Sequence, residues 1–185
     1  MNPMATSKAD ILKTSRELIQ QSGWTAVNIR AVAAACGVSV GCIYNYFESK
    51  TALVSATVES IWNDIFHHPE DGVVFRDTLS CVRWMYQQLE YGCQRYPDFF
   101  THHALGFVRQ DTADGKQQMQ KVWQHILEAL CTVLQNDVQI REDAFTEAFT
   151  VEKFAEILFS LMLSALVRQD FDPSSVLEIV RRTVY

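Results

Sequence analysis

Between Asn28 and Leu53 the chain reads NIRAVAAACGVSVGCIYNYFESKTAL, and its polar side chains suit the gripping of a phosphodiester backbone. Tyr44 and Tyr46 carry hydroxyls on rigid rings, able to reach a phosphate while the ring packs on a sugar. Lys50 brings a charge to the start of a helix, where free N–H groups also favour an anion. Ser39 can donate or accept, and Val40, Gly41 and Cys42 are small enough to approach base edges and thymine methyls. This is the chemistry of recognition rather than of bond breaking. The signatures of catalysis are absent: no G-x-S-x-G, no phosphate-cradling glycine loop, no H-E-x-x-H and no C-x-x-C. The carboxylate pair Glu142-Asp143 lies near a helix start, where acids offset the dipole.

Such side chains need a scaffold that presents them on one face. Asn28 is a good N-cap, because its side-chain oxygen accepts a free N–H of the first turn. Ile29, Val32, Ala33 and Cys36 follow at i, i+3, i+4 and i+7, one apolar helical stripe. Gly37 stands where the helix must stop and turn, a place for positive φ. Val38 then plugs the core, Ser39 caps a second helix to about Tyr46, and Ile43 points inward. Ala33, Ala34 and Gly37 let the two helices cross closely. The pattern predicts a helix-turn-helix with its second helix free to enter a DNA major groove.

The run GVSVGCIYNYFESKTAL resembles the signature of TetR-type transcriptional regulators, A-G-V-S-x-G-T-L-Y-x-Y/H-F-x-S-K-x-x-L. The specific likeness covers about residues 8–66; beyond it, the chain is similar only in its helical layout. Cys36 stands where Ala or Leu is common, and Cys42 where Thr or Ser is usual. The resemblance implies that Ser39, Val40, Gly41 and Cys42 face the bases and that Tyr44, Tyr46 and Lys50 clamp the backbone. It implies also that Arg30 reaches a base or phosphate and that Thr25 offers a phosphate-contacting hydroxyl. Residue types alone leave blander roles open. Tyr44 and Phe47 could be core aromatics, and Arg30 and Lys50 plain surface cations. Cys42 could sense oxidants, although no neighbour in sequence obviously activates its thiol.

The chain has 185 residues, room for one large or two small folding units, and 48% of them are apolar. With only 4 Pro and 7 Gly, long helices are favoured over sheet-and-turn architectures. No uncharged apolar run reaches about 18 residues, so no membrane span is expected. The start of the chain does not read as a signal peptide. The 5 scattered cysteines suggest a reducing cytosol and a cytoplasmic protein. Net charge is −6, yet residues 1–50 hold five bases against three acids, a mildly basic head on an acidic body.

The expected fold is all-α. A three-helix helix-turn-helix head, residues 1–50, is joined by a fourth helix of about 49–66 to a helical body, residues 51–185. The head begins at the capping-box-like Ser7-x-x-Asp10, and Gly23 ends its first helix. In the body the patterning predicts helices over about 73–95, 97–109, 113–136 and 145–168, and a last one opened by Asp172-Pro173-Ser174.

The body is rich in aromatics. The resemblance implies a ligand cavity there, with Trp84, Phe99, Phe100, His102, His103, Phe107 and Trp123 as candidate contacts; aromatics at helical spacing also serve as plain core. Phe99 to His103 joins apolar walls to polar tips, as an orienting pocket for a small apolar or aromatic effector needs. His102 and His103 point about 100° apart on a helix and lack a ligand at i+3 or i+4, so no metal is expected. No cofactor is expected either. Phe154, Leu158, Leu161, Met162, Ala165 and Leu166 form a wide apolar face, with Val176 and Val180 beside it. Such a face is central in the core or shared with another subunit. The resemblance implies the second, a homodimer through the last two helices, with a double-stranded DNA operator and a small-molecule effector as further partners. The rival readings are a helical small-molecule binder that has lost DNA binding, and an unrelated all-helical enzyme or adaptor.

Overall fold

Short polar residues start the helices, as their hydrogen-bonding chemistry requires. Ser7 and Asp10 form a reciprocal capping box: Ser7 Oγ accepts from the Asp10 N–H at 3.1 Å, and Asp10 Oδ2 accepts from the Ser7 N–H at 3.0 Å. Asn28 Oδ1 accepts from the Ala31 N–H at 3.0 Å, and Ser39 Oγ from the Cys42 N–H at 3.2 Å. The computed structural model describes residues 6–66, 75–100 and 113–185, except for the side chains at 113–119, 121 and 122. Among them eight α-helices follow: α1 Lys8–Ser22, α2 Ile29–Ala35, α3 Val40–Tyr44, α4 Lys50–Phe66, α5 Thr78–Arg95, α6 Ala113–Asn136, α7 Val151–Arg168 and α8 Ser174–Val184. A 3₁₀ turn, Trp24–Ala26, lies between α1 and α2. The described residues contain no strand, and no described helix is long and apolar enough to cross a membrane.

The chain divides into two compact units, Met1–His67 with Gly92–Met119 and His68–Tyr91 with Gln120–Tyr185. In the first, α1 packs on α4 and α2 on α3. Ile11, Ile19, Val32, Ile43, Leu53 and Ile61 are all fully buried. Each such side chain stabilises by about 1.5–3 kcal/mol relative to exposure. The buried hydroxyls of Ser15 and Thr57 donate back to the Ile11 and Leu53 carbonyls at 2.8 Å, so neither is left unsatisfied. Asp64 on α4 receives the Arg16 guanidinium at 3.9 Å, Arg95 at 3.2 Å and the Tyr96 hydroxyl at 2.6 Å. Arg16 also donates to the Ser60 hydroxyl. Trp62 stacks on Phe66 at 5.6 Å and meets Phe100 edge-on at 5.4 Å; Trp24 and Phe99 lie 5.6 Å apart. A Cβ on Gly92 would lie 2.6 Å from Ile65 Cδ1, so the bare backbone there admits the α4 side chain.

In the second unit the apolar face of α7 closes on its surroundings through Phe154, Ala155, Leu158, Met162 and Ala165, all buried. Trp123 on α6 meets Phe159 on α7 at 5.7 Å. Asp137, just after α6, caps α5 by accepting from the Thr78 N–H and hydroxyl, and takes the Tyr185 hydroxyl as well.

Four boundaries differ from the sequence expectation, the first being α5, expected from about residue 73 and starting at Thr78. The helix expected from Phe145 starts at Val151. Thr150 is extended, its hydroxyl oxygen accepts from the Lys153 N–H, and a mutual Thr146–Phe149 backbone pair closes a turn before it. Phe145 and Phe149 therefore continue the apolar pattern from that turn, packing on Phe154 at 6.2 and 5.6 Å. The helix expected from Pro97 begins only at Phe99, because Asp98 takes φ 63° in the preceding turn; its continuation lies outside the described residues. The third helix of the head, α3, expected to reach Tyr46, ends at Tyr44.

Candidate nucleic-acid interface

The turn between α2 and α3 follows from one glycine. Gly37 takes φ 67°, while its own N–H and that of Val38 close on the Ala34 and Ala33 carbonyls at 3.1 and 3.0 Å. A Cβ at Gly37 would meet nothing within 4 Å, so backbone conformation rather than space demands glycine here. The turn leaves α3 with two unlike faces. Ile43 is fully buried, and Phe47, just after the helix, is 3% exposed. On the other face Val40 and Tyr44 are 39% and 49% exposed.

Around that face stand the residues expected to meet DNA. Ser39 and Gly41 are exposed and Cys42 is half-buried. Lys50 is exposed in the first turn of α4, whose Ala52 N–H is already capped by Ser49 Oγ at 3.0 Å. Arg30 on α2 and Thr25 in the 3₁₀ turn are exposed, and Arg30 makes no ion pair among the described residues. Tyr46 is 40% exposed, and its hydroxyl donates to the Thr6 carbonyl at 2.5 Å. That bond spans 40 residues, and no local pattern in the sequence announces it. Phe47 is core, whereas Tyr44 is not. A short helix with small exposed side chains, flanked by a tyrosine and a lysine, can lie against base edges while its neighbours hold the backbone.

The expected effector contacts fall in different places. Phe99 and Phe100 are buried in the first unit, with Trp62 and Trp24 around them. Trp84 and Trp123 belong to the second unit, on Phe75 at 5.2 Å and on Phe159 at 5.7 Å. His102, His103 and Phe107 lie outside the described residues. Trp62 was not among the expected contacts, although its place four residues after Val58 marks it as inward-facing. Its indole N–H is buried without a hydrogen-bond partner. Among the described residues no cluster of three or more potential metal ligands occurs.

Of the expected dimer residues, Phe154, Leu158, Met162, Ala165, Leu166, Val176 and Val180 are buried within the subunit itself, and Leu161 is half-buried. The apolar side chains that α7 and α8 leave open are others: Ile157 at 44% exposure, Val167 at 56% and Ile179 at 42%. A groove of about 520 Å³ runs along this side of α7, lined by Phe149, Lys153, Glu156, Ile157, Ser160 and Leu161. The stripe on α7 is too wide for one job, and the periodicity could not say which edge the subunit would keep for itself.

Known proteins resemble the chain in two ways. Residues 11–57 match the family model described as bacterial regulatory proteins, tetR family. The chain is 39% identical over 56 residues to the uncharacterized HTH-type transcriptional regulator YerO of Bacillus subtilis (strain 168), a stretch covering 30% of this chain and 19% of YerO. It is 28% identical over 76 residues to the HTH-type transcriptional regulator UidR of Escherichia coli (strain K12), covering 40% of this chain and 39% of UidR. The matched stretch thus spans well under half of either relative. The fold is shared along nearly the whole chain. The crystal structure of the transcriptional regulator FadR from Bacillus subtilis in complex with stearoyl-CoA superposes with a TM-score of 0.64 at 17% identity, covering 97% of this chain and 100% of FadR. The kinship in sequence lies where α1 to α4 build the exposed face of α3, and over residues 11–57 the chain carries the pattern of the tetR family of bacterial regulatory proteins.

Proposed function

We propose that the chain is a ligand-responsive, sequence-specific DNA-binding transcriptional regulator: a homodimeric, cytoplasmic repressor that grips a near-palindromic operator and is released by a small apolar or aromatic effector. The observation that carries this reading is the division of α3, with Ile43 fully buried and Val40 and Tyr44 open on the other side. In this reading Ser39 to Cys42 approach the bases, Tyr44 and Lys50 hold phosphates, and Thr25 and Arg30 add contacts from the preceding elements. Residues 1–50 are the DNA-binding head and 51–185 the effector-binding and dimerising body.

The aromatic cluster of Trp62, Phe99 and Phe100 supports an effector with an apolar or aromatic body, held between α4 and the segment after α5. FadR binds stearoyl-CoA, a ligand with a long apolar chain, on a similar fold. The effector changes DNA affinity by favouring one setting of α4 over another; a ligand binding both settings equally would change nothing. The dimer forms on the open side of α7, around Ile157 and Leu161.

Selection of duplexes from a random pool tests the DNA reading. The expected product is an inverted repeat with half-sites about one helical turn, roughly 34 Å, apart. Absence of duplex binding at low salt overturns it and leaves a helical small-molecule binder. An effector found by tryptophan fluorescence is expected to weaken operator binding about 30- to 150-fold. Unchanged operator affinity at saturation removes the sensor role.

A further inference from the structure

The geometry points to Tyr46 as a positioning residue and to Lys8 as the phosphate contact it serves, an inference that rests on the DNA-binding reading above. A phosphodiester oxygen only accepts hydrogen bonds, so a tyrosine that grips it must donate its single phenolic proton. The Tyr46 proton is already committed to the Thr6 carbonyl at 2.5 Å. The Tyr44 hydroxyl has no such partner among the described residues, so the two tyrosines do different work.

The tie at Thr6 brings the start of α1 to the residues that follow α3. Two residues on, the Lys8 ammonium lies 5.5 Å from the centre of the Phe47 ring, within reach of a cation–π attraction. Lys8 is exposed and makes no ion pair among the described residues. The nearby carboxylate of Asp10 is engaged by Ser7, whose hydroxyl donates to it at 2.6 Å. Between Thr6 and Lys8, the Ser7–Asp10 capping box fixes the backbone. The chain that carries this cation is thus tied at Thr6 by Tyr46, and the ammonium itself lies over Phe47, beside the end of the candidate recognition helix. Tyr46 acts through Lys8, and without the Thr6 tie Lys8 moves with a loosened helix start.

The test is the salt dependence of binding to a random-sequence duplex, measured for the full chain and three variants. Lys8→Ala is expected to lower the slope of log K against log salt by about one unit, the loss of one phosphate contact. Tyr46→Phe keeps the ring, carries no change of charge, and is expected to weaken binding about 5-fold and lower the slope toward that of Lys8→Ala. The double variant is expected to match Lys8→Ala. If Tyr46→Phe weakens binding with the wild-type slope, or if the two losses multiply, Tyr46 is itself a neutral clamp and the inference fails. An unchanged Tyr46→Phe variant also overturns it. If the unaltered chain shows no salt-dependent duplex binding, the DNA reading falls first and this inference with it.

Discussion

Asp137 and Thr78 are 59 residues apart in the chain, yet one oxygen of the Asp137 carboxylate accepts both the Thr78 N–H at 2.7 Å and its hydroxyl at 2.9 Å. The hydroxyl of Tyr185 donates to the same oxygen, and the Gln139 N–H to the other at 3.0 Å. One side chain therefore caps α5, closes the turn after α6 and holds the residue after α8. Asp137 is only 6% exposed. Burial alone would raise its carboxyl, but the hydrogen bonds from Tyr185, Thr78 and Gln139 outweigh that and hold it below the usual carboxylate range. Burial, with the Asp137 carboxylate beside it, pushes the Tyr185 phenol up to about 12, so it remains a donor at neutral pH.

A depressed carboxyl stabilises the fold fully above its unfolded pKa, about 3.9, and the gain disappears as pH falls through the folded value. Asp137→Asn presents an amide where an anion accepted four donors, and is expected to cost about 1–3 kcal/mol at pH 7. The cost should shrink in acid, where the wild-type group is itself protonated. Denaturant unfolding of both proteins, followed from neutral pH down through the folded titration of Asp137, checks this; equal stability at pH 7 contradicts it.

Asp64 gathers three partners from two stretches of the first unit: Arg16 on α1, and the consecutive Arg95 and Tyr96 at the end of α5. Partly exposed ion pairs are worth little singly, but a shared anion couples them. Asp64→Asn is expected to destabilise by about 1–2 kcal/mol. Arg16→Ala and Arg95→Ala should each cost less in that background than in the wild type. A double-mutant cycle reads the coupling, and strict additivity would show that the three act independently.

Tyr44→Phe and Lys50→Ala are expected to weaken binding to all duplexes by about 1–2 kcal/mol each, because the proposed function assigns both to the DNA backbone. Lys50→Ala alone should reduce the salt slope, by about one unit. Loss confined to one base position, measured on a panel of single-substituted operators, would place either residue at the bases instead.

With the dimer proposed on the open side of α7, substitutions there should separate assembly from folding. Ile157→Glu adds a charge at a 44%-exposed position, so the subunit should fold while the dimer fails. Leu161→Glu, at a half-buried groove position, is expected to act in the same direction. Leu166→Glu buries a carboxylate at a site 3% exposed and should unfold the subunit itself. Sedimentation together with circular dichroism distinguishes the cases. A folded, dimeric Ile157→Glu protein would move the interface elsewhere.

By itself the sequence determined what is local. Caps at Ser7, Asn28 and Ser39, the positive-φ turn at Gly37 and the inward Ile43 all follow from hydrogen bonding and helical period within a few residues. These suffice for the helix-turn-helix, while the choice between core and surface for Tyr44 and Phe47 stayed open until the structure put Tyr44 outside and Phe47 within. Only the tertiary structure decided what depends on distant partners. Tyr46 and Tyr44 are both tyrosines two residues apart, yet only one spends its proton on a carbonyl 40 residues away. The stripe of α7 was legible as apolar, but which edge the subunit buries depends on where its neighbouring elements lie. That is why Leu166 proved internal and Ile157 open. Phe145 and Phe149 fit the helical period without being helical, because period records which side chains are buried and not the hydrogen bonds that bury them.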